Sequence, residues 1–295
     1  MKYTLRQLEV FLATARHENI SRAAGELAMS QSAASGSLKE LERQFDVQLF
    51  DRVGKRLQLS ELGRQLRPQA ENLLAQAEVF EQSLGGGEIS GSLRIGATLT
   101  IGNYLAVPMI AAFRQRFPTA EISLQVANTA TIARQVAEFE LDLGMIEGEF
   151  SHPHLQAMPW REDELEVFAA PGHPLAQKRR ITDAQLLQQS WIVREPGSGT
   201  RQTFERALHD ILADLDIAME LQHTEAIKRA VEAGLGVGCL SQICLADAFR
   251  RGALVPLSVE GRDFRREWYL INHREKFHSA ALREWLTLCR ERWAG

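Results

Sequence analysis

The sequence predicts an α/β protein with an all-α module at its N-terminus: short helices, one long helix, then two α/β lobes. Three observations point there. Up to about residue 84 apolar residues recur at helical spacing, apart from a short basic stretch around Gly54. Gly85-Gly86-Gly87 then breaks the pattern. Beyond Ser90, short β-rich runs alternate with helix-length runs, as in parallel sheets covered by helices.

At 295 residues the chain can hold two or more domains, each with its own core. Hydrophobic residues make up 45% and charged residues 24%, ordinary values for a soluble globular protein. No run approaches the roughly 18 apolar residues of a membrane span. The opening MKYTLRQLEVF is amphipathic and lacks the apolar core and cleavage site of a signal peptide, so a cytoplasmic address is expected. Net charge is −4, but residues 1–67 hold eleven Lys and Arg against eight Asp and Glu. That segment is +3 and the remainder −7, so any affinity for nucleic acid belongs to the N-terminal end. Cys239, Cys244 and Cys289 cannot form a disulfide framework, and no histidine is placed to complete a zinc site with Cys239 and Cys244.

Thr4-Leu5-Arg6-Gln7 has the form of a capping box, and Leu5, Leu8, Phe11, Leu12 and Ala15 then mark a helix from about 5 to 17. A second helix is expected from Ser21 to about Ala28, burying Ala23, Ala24 and Leu27. Ser30 is a good N-cap for a third. On that helix Ala34, Leu38, Leu41 and Phe45 form the expected buried face. Gln31, Ser32, Ser35, Gly36 and Lys39 fall on the opposite face, which carries no carboxylate. A helix so shaped fits the DNA major groove, about 12 Å wide, and Gln31 can bond an adenine edge bidentately. Helix, short turn, helix is the helix-turn-helix arrangement, the second helix doing the reading. VQLFDRVGKRLQLSELG (47–63) then reads as a hairpin whose turn holds Gly54. Its cations Arg52, Lys55 and Arg56 would meet phosphates or the minor groove, making it the wing of a winged helix-turn-helix.

From Glu61 to Leu84 the positions Leu62, Leu66, Leu73, Ala77, Phe80 and Leu84 repeat close to a heptad. One apolar seam needs a partner, so this is read as a linker and dimerisation helix. Pro68 should kink it or mark its true start. The expected division is therefore 1–60 for DNA binding, 61–87 for the linker helix and hinge, and 88–295 for ligand binding.

Within 88–295, expected strands are SLRIGAT, EISLQVA, LDLGMIEG, LEVFAAP, WIVRE, IAMELQH, VGCLS and WYLINH. They divide into two Rossmann-like lobes, about 90–162 plus 268–295 and about 163–267, joined by two crossings. Two lobes with two crossings make a hinged cleft for a small ligand. Ligands in open α/β sheets lie beyond the carboxyl ends of strands. The candidates at those ends are Thr98, Thr100, Glu147, Ser198, Gly199, Thr200, Arg201 and Glu225. Hydroxyls and free backbone N–H groups at helix N-termini favour an anion, and Arg201 adds positive charge. Glu147 opposes this: it would bond an amine or protonated group, or only order its neighbours. Other motifs fail. Gly234-Leu235-Gly236-Val237-Gly238 precedes a strand where a dinucleotide fingerprint follows one. Ser198 lacks the glycine spacing of a nucleophile elbow. His152 and His154 flank Pro153 in a loop and suggest no metal site. No catalytic constellation, cofactor loop or metal set emerges.

SRAAGELAMSQSAASGSLKELERQF followed by LFDRVGKRLQLSELG resembles the DNA-binding domain of LysR-type transcriptional regulators, and the resemblance covers the whole chain. It implies a winged helix-turn-helix, a coiled dimerisation helix and an effector domain of periplasmic-binding-protein type. It also implies a homodimer or homotetramer on promoter DNA, responding to a small metabolite. IGNYLAVP, GMIEG, REPGSGTR and EAIKRAV are similar to the YeiE-like and CysB-like branch, which implies a small anionic effector such as a sulfur oxyanion. By position, Gln31, Ser32, Ser35 and Lys39 would read DNA, Arg52 and Arg56 would be wing contacts, and Thr98, Thr100, Ser198 and Thr200 would bind effector. Gly36 and Ser37 depart from the larger or basic residues common there. The rivals are a solute-binding component and an α/β enzyme with an N-terminal regulatory module.

Overall fold

The structure is a computed structural model that describes residues 2–54, 56–84 and 91–292. Lys55 and the Gly85-Gly86-Gly87 joint lie outside the described residues. The chain divides into two compact units: residues through Gly91 with Arg274–Arg283, and Ser92–His273 with the segment from Glu284.

In the first unit, α1 (Leu5–His17) is closed by the expected capping box: Thr4 Oγ1 accepts from Gln7 N at 3.2 Å, and the Gln7 side chain accepts from Thr4 N at 2.9 Å. Helix α2 (Ile20–Glu26) begins and ends earlier than its apolar pattern suggests. Asn19 caps it by accepting from Ser21 N and Arg22 N, and Ala28 at φ 52° is left-handed and outside it. Helix α3 (Gln31–Phe45) starts where Ser30 accepts from Ala33 N at 3.2 Å. Strands β1 (Phe50–Val53) and β2 (Arg56–Leu59) pair antiparallel, with Gly54 at φ +63° in the turn, where a β-carbon would be strained. Phe11, Leu12, Ala34, Leu38, Leu41 and Phe50 fill the core, the Phe11 and Phe50 rings meeting edge-on at 5.7 Å. Each large apolar side chain buried this way contributes about 1.5–3 kcal/mol. Phe45 does not join them; it is 45% exposed and leans toward Tyr3.

Helix α4 (Glu61–Leu84) runs through Pro68 rather than starting there. Ser60 Oγ accepts from Gly63 N at 3.0 Å, and Leu62 and Leu66 pack on the core, so the turns before the proline are anchored from outside the helix. Asn72 ties the segment 274–283 to α4, donating to Glu275 O at 2.6 Å and accepting from Phe277 N at 2.8 Å.

The second unit is built on β3 (Gly91–Thr98), β4 (Ala120–Ala127), β5 (Leu143–Glu147), β6 (Leu155–Ala169), β7 (Ser190–Arg194), β8 (Asp216–Leu221), β9 (Val237–Ser241), β10 (Val255–Leu257) and β11 (Arg265–His273). Their order is β4-β3-β5-β11-β6-β9-β7-β8, with β10 on β6. The expected parallel sheets are present only in part. β3 and β5 are parallel, as are β9, β7 and β8, but β11 is antiparallel to β5 and β6, and β6 to β9. The two crossing strands stitch two parallel groups together. β6 is a single strand of 15 residues, begun ten residues before the LEVFAAP run. Its charged WREDE portion pairs along β11, where Arg266 faces Asp163. The helices are α5 (Leu99–Ile101), α6 (Val107–Arg116), α7 (Thr129–Ala137), α8 (Asp183–Leu186), α9 (Gly199–Ala207), α10 (Thr224–Glu232), α11 (Gln242–Arg250) and α12 (Ala280–Arg292). A π-turn, Gly102–Ala106, joins α5 to α6.

Candidate functional site

Two surfaces carry the chemistry nominated by the sequence. The first is the face of α3 opposite its core stripe. With Ala34, Leu38 and Leu41 buried, Gln31, Ser32, Gly36 and Lys39 are exposed and Ser35 is partly so. Ser32 Oγ lies 3.1 Å from Ser30 Oγ, so the cap residue steadies it. A β-carbon on Gly36 would meet nothing within 4 Å, so no contact inside the protein demands a glycine there. On the hairpin Arg52 is exposed, and Arg56 has only a loose 3.7 Å contact to Glu18 at a largely exposed position. Lys55 is the nominated wing cation outside the described residues. Arg22, in the first turn of α2, was missed by the sequence reading. It is exposed and has no ion-pair partner among the described residues, whereas Arg6, Arg16, Arg43 and Arg64 are each matched by a glutamate. Cations left unpaired beside a groove-sized helix are available to phosphates.

The second surface lies between the lobes of the second unit. Thr98, Thr100, Glu147, Ser198 and Thr200 come together and are all buried. Thr100, Thr200 and Glu147 are bonded to one another. Thr100 Oγ1 and Thr200 Oγ1 both donate to Glu147 Oε1, at 3.3 and 3.0 Å. Arg266, from β11, donates through Nη1 to Thr200 Oγ1 at 2.9 Å, approaches Glu147 Oε2 at 3.3 Å and bonds Asp163 through Nε at 2.7 Å. Burial opposes the Arg266 charge, but Glu147 and Asp163 outweigh it and raise its pKa above the ordinary arginine value. Glu147 therefore orders two threonines and an arginine. Gly199 allows the close approach of the lobes: a β-carbon there would lie 1.9 Å from Glu147 O.

Ser198 Oγ accepts from Thr200 N and Arg201 N, so it caps α9 and uses N–H groups that an anion would need. Thr98 Oγ1 is buried with no hydrogen-bond partner among the described residues. Two nominated residues stand apart from this cluster. Arg201 does not add charge to the cleft, because it is bound to Glu205 at 2.6 Å, Glu220 at 2.9 Å and Arg194 O at 3.0 Å. Glu225 is largely exposed and forms a separate tie with Lys228 (2.5 Å), while the Tyr104 hydroxyl on the π-turn donates to it at 3.0 Å. Burial would raise the Glu225 pKa, but Lys228 and Tyr104 outweigh that and lower it.

A cavity of about 400 Å³ opens at the ends of β4, β7 and β8, lined by Leu99, Asn103, Asn128, Glu195, Gln222 and His223 among others. None of the nominated residues lines it. A larger groove, about 700 Å³, lies over the crossing strands. Its lining mixes four arginines, Arg161, Arg206, Arg265 and Arg266, with six carboxylates, two of which, Glu162 and Glu267, stand directly opposite each other. Asp163, Arg266, Arg194, Glu195 and Asn128 were not singled out from the sequence. Charged residues in the crossing runs WREDE and FRREW were the available signal, but residues about a hundred positions apart could be paired only through the fold. The three cysteines are buried, and burial pushes the Cys244 thiol up to about 12. Among the described residues no group of His, Cys, Asp and Glu is arranged to hold a metal, and no helix is long and apolar enough to cross a membrane.

Residues 5–64 match the bacterial regulatory helix-turn-helix protein, lysR family, and residues 86–294 match the LysR substrate binding domain. The chain is 44% identical over 289 residues to the HTH-type transcriptional regulator YeiE of Escherichia coli (strain K12), covering 98% of both chains. It is 30% identical to the CcmR regulatory domain of Synechocystis PCC6803 in complex with 2-PG, with a TM-score of 0.64, over 69% of this chain and 99% of that one. A full-length variant of OxyR from Pseudomonas aeruginosa shares the fold, at 22% identity and a TM-score of 0.75, over 98% of this chain and 94% of that one. The YeiE relative is a transcriptional regulator, and the matched domains are a regulatory helix-turn-helix and a substrate binding domain.

Proposed function

The chain belongs to the LysR family of transcriptional regulators, and we propose that it reads promoter DNA as a homodimer or homotetramer and responds to a small anion held between its lobes. In this reading 1–60 binds DNA, 61–87 pairs the chains and provides the joint, and 88–295 senses the ligand in the cytoplasm, where the DNA is. The observation that carries the DNA assignment is the exposed face of α3, with Gln31, Ser32, Ser35 and Lys39 on it and no carboxylate among them. Gln31 offers amide donor and acceptor to a base edge, Ser32 and Ser35 reach bases or phosphates, and Lys39, Arg52, Lys55 and Arg56 meet phosphates.

The anion assignment is supported by buried hydroxyls at strand ends, by the unpartnered Thr98 Oγ1 and by the 2-PG that the CcmR regulatory domain carries. In this reading Thr98, Thr100, Ser198, Gly199 and Thr200 form one wall, ordered by Glu147, and Arg201 and Glu225 take no part in it. A sulfur oxyanion and 2-PG share the chemistry this wall would recognise: several acceptor oxygens on one centre. A ligand that favours one lobe arrangement over another shifts the population of that arrangement, and with it the geometry of the DNA-bound oligomer. The test is a mobility shift on the DNA upstream of the gene, at low and high salt, with and without sulfite, sulfate or 2-PG. Salt-sensitive, sequence-selective retardation that one anion changes is the expected result. Absent or salt-insensitive binding would remove the DNA assignment.

A further inference from the structure

The cations nearest the cleft all have carboxylate partners inside the protein. Arg266 has Glu147 and Asp163, Lys228 has Glu225, and Arg201 has Glu205 and Glu220. Arg194 is as buried as Arg266, and its Nη1, like Arg266 Nη2, has no hydrogen-bond partner among the described residues. What sets Arg194 apart is where its counter-charge lies. Its one carboxylate partner is the next residue, Glu195, which lines the 400 Å³ cavity. Arg194 Nε and Nη2 donate to Glu195 Oε2 and Oε1 at 2.8 and 3.0 Å, a two-pronged grip, and Asn128 Nδ2 donates to the same Oε1 at 3.1 Å. This is the geometry with which a guanidinium holds a carboxylate, phosphate or sulfur oxyanion. Here the carboxylate belongs to the wall of the site.

We propose that Glu195 is a tethered stand-in for the effector, and that an incoming oxyanion displaces it and is received by Arg194 with the Asn128 amide. This rests on the small-anion reading above and names its charge partner and ligand class: an anion presenting two oxygens from one centre. The exchange accounts for an anion entering a cleft already rich in carboxylates. Arg194 is never left as an uncompensated buried charge, which would be costly, and Glu195 moves from the wall toward water, where its hydration is recovered. The exchange also breaks the Asn128–Glu195 bond, which ties the N-cap of α7 in one lobe to the end of β7 in the other. Ligand identity is thereby converted into a change in how the lobes are held.

The test uses the full-length protein with sulfite, sulfate and 2-PG as probes, read by thermal melting and by calorimetric titration. Glu195→Gln lowers the melting point without ligand, since Arg194 loses its counter-charge. It also tightens the Kd of the anion that binds wild type by about tenfold or more, as expected when a facing like charge is removed. Arg194→Gln weakens that Kd by at least about tenfold. Should Arg194→Gln not fold, the Glu195→Gln titration decides alone. If an anion binds wild type and Glu195→Gln leaves its Kd within about twofold or weakens it, the stand-in role is overturned while the small-anion reading stands. If no anion shifts wild type or Glu195→Gln, both fall together.

Discussion

Two glycines show how a single residue reports what lies against it. A β-carbon on Gly199 would lie 1.9 Å from Glu147 O, while one on Gly36 would meet nothing. Gly199→Ala should therefore overpack the lobe contact and cost about 1–3 kcal/mol, seen as a lower denaturant midpoint at unchanged slope. Gly36→Ala should go the other way. A mid-helix glycine is about 1 kcal/mol worse than alanine, so the variant should melt at a higher temperature. Its operator affinity should fall, because the added methyl stands on the face that enters the groove. A variant that gains stability and keeps full affinity would show that nothing approaches position 36. Ser35→Glu is the sharper change, placing a carboxylate against phosphates and acceptor-rich base edges. Specific retardation should be lost by about 1–3 kcal/mol or more, with circular dichroism unchanged.

At the scale of the element, α4 carries an apolar stripe that no described residue covers. Leu73, Phe80 and Leu84 follow one another at heptad spacing and are 40%, 65% and 73% exposed. Phe80→Asp should shift the sedimenting species toward monomer and weaken operator binding, since the two recognition helices are then no longer held together for two half-sites. A variant that sediments like wild type would move the pairing surface elsewhere. Elements were legible in the sequence where local chemistry decides them. The Thr4, Ser30 and Ser60 caps fix helix starts by bonding groups within three residues, so α1 and α3 begin where the sequence places them. They were less legible where distant contacts decide. Pro68 vetoes a helix locally, yet Leu62 and Leu66 hold the preceding turns against the core. LEVFAAP reads as a strand, but the ten residues of β6 before it do not until β11, about a hundred residues later, supplies their partner. The cleft divides the same way. Its hydroxyls stand at strand ends that the pattern marks, whereas Arg266 and Asp163, which fix their orientation, meet only through the crossing strands.

For the whole molecule, the charge count separates two binding events that should respond differently to salt. Residues 1–67 carry a surplus of three positive charges within a chain of net −4. Arg22, Lys39 and Arg52 are exposed and have no ion-pair partners among the described residues. Doubled in a dimer, such cations would make about six phosphate contacts. A complex with six to ten of these loses roughly 10³–10⁵ in affinity between 50 and 200 mM salt. The cleft is different: its cations are already compensated by Glu147, Asp163, Glu195 and Glu225, and its hydroxyls are buried, so mobile ions screen it weakly. Raising salt over that range should therefore collapse operator binding while changing the anion Kd by only a few-fold. Parallel mobility-shift and calorimetric titrations in the same buffers would measure both slopes. Equal slopes would mean that the anion is held by exposed charge at the surface, and the buried wall between the lobes would lose its assigned role.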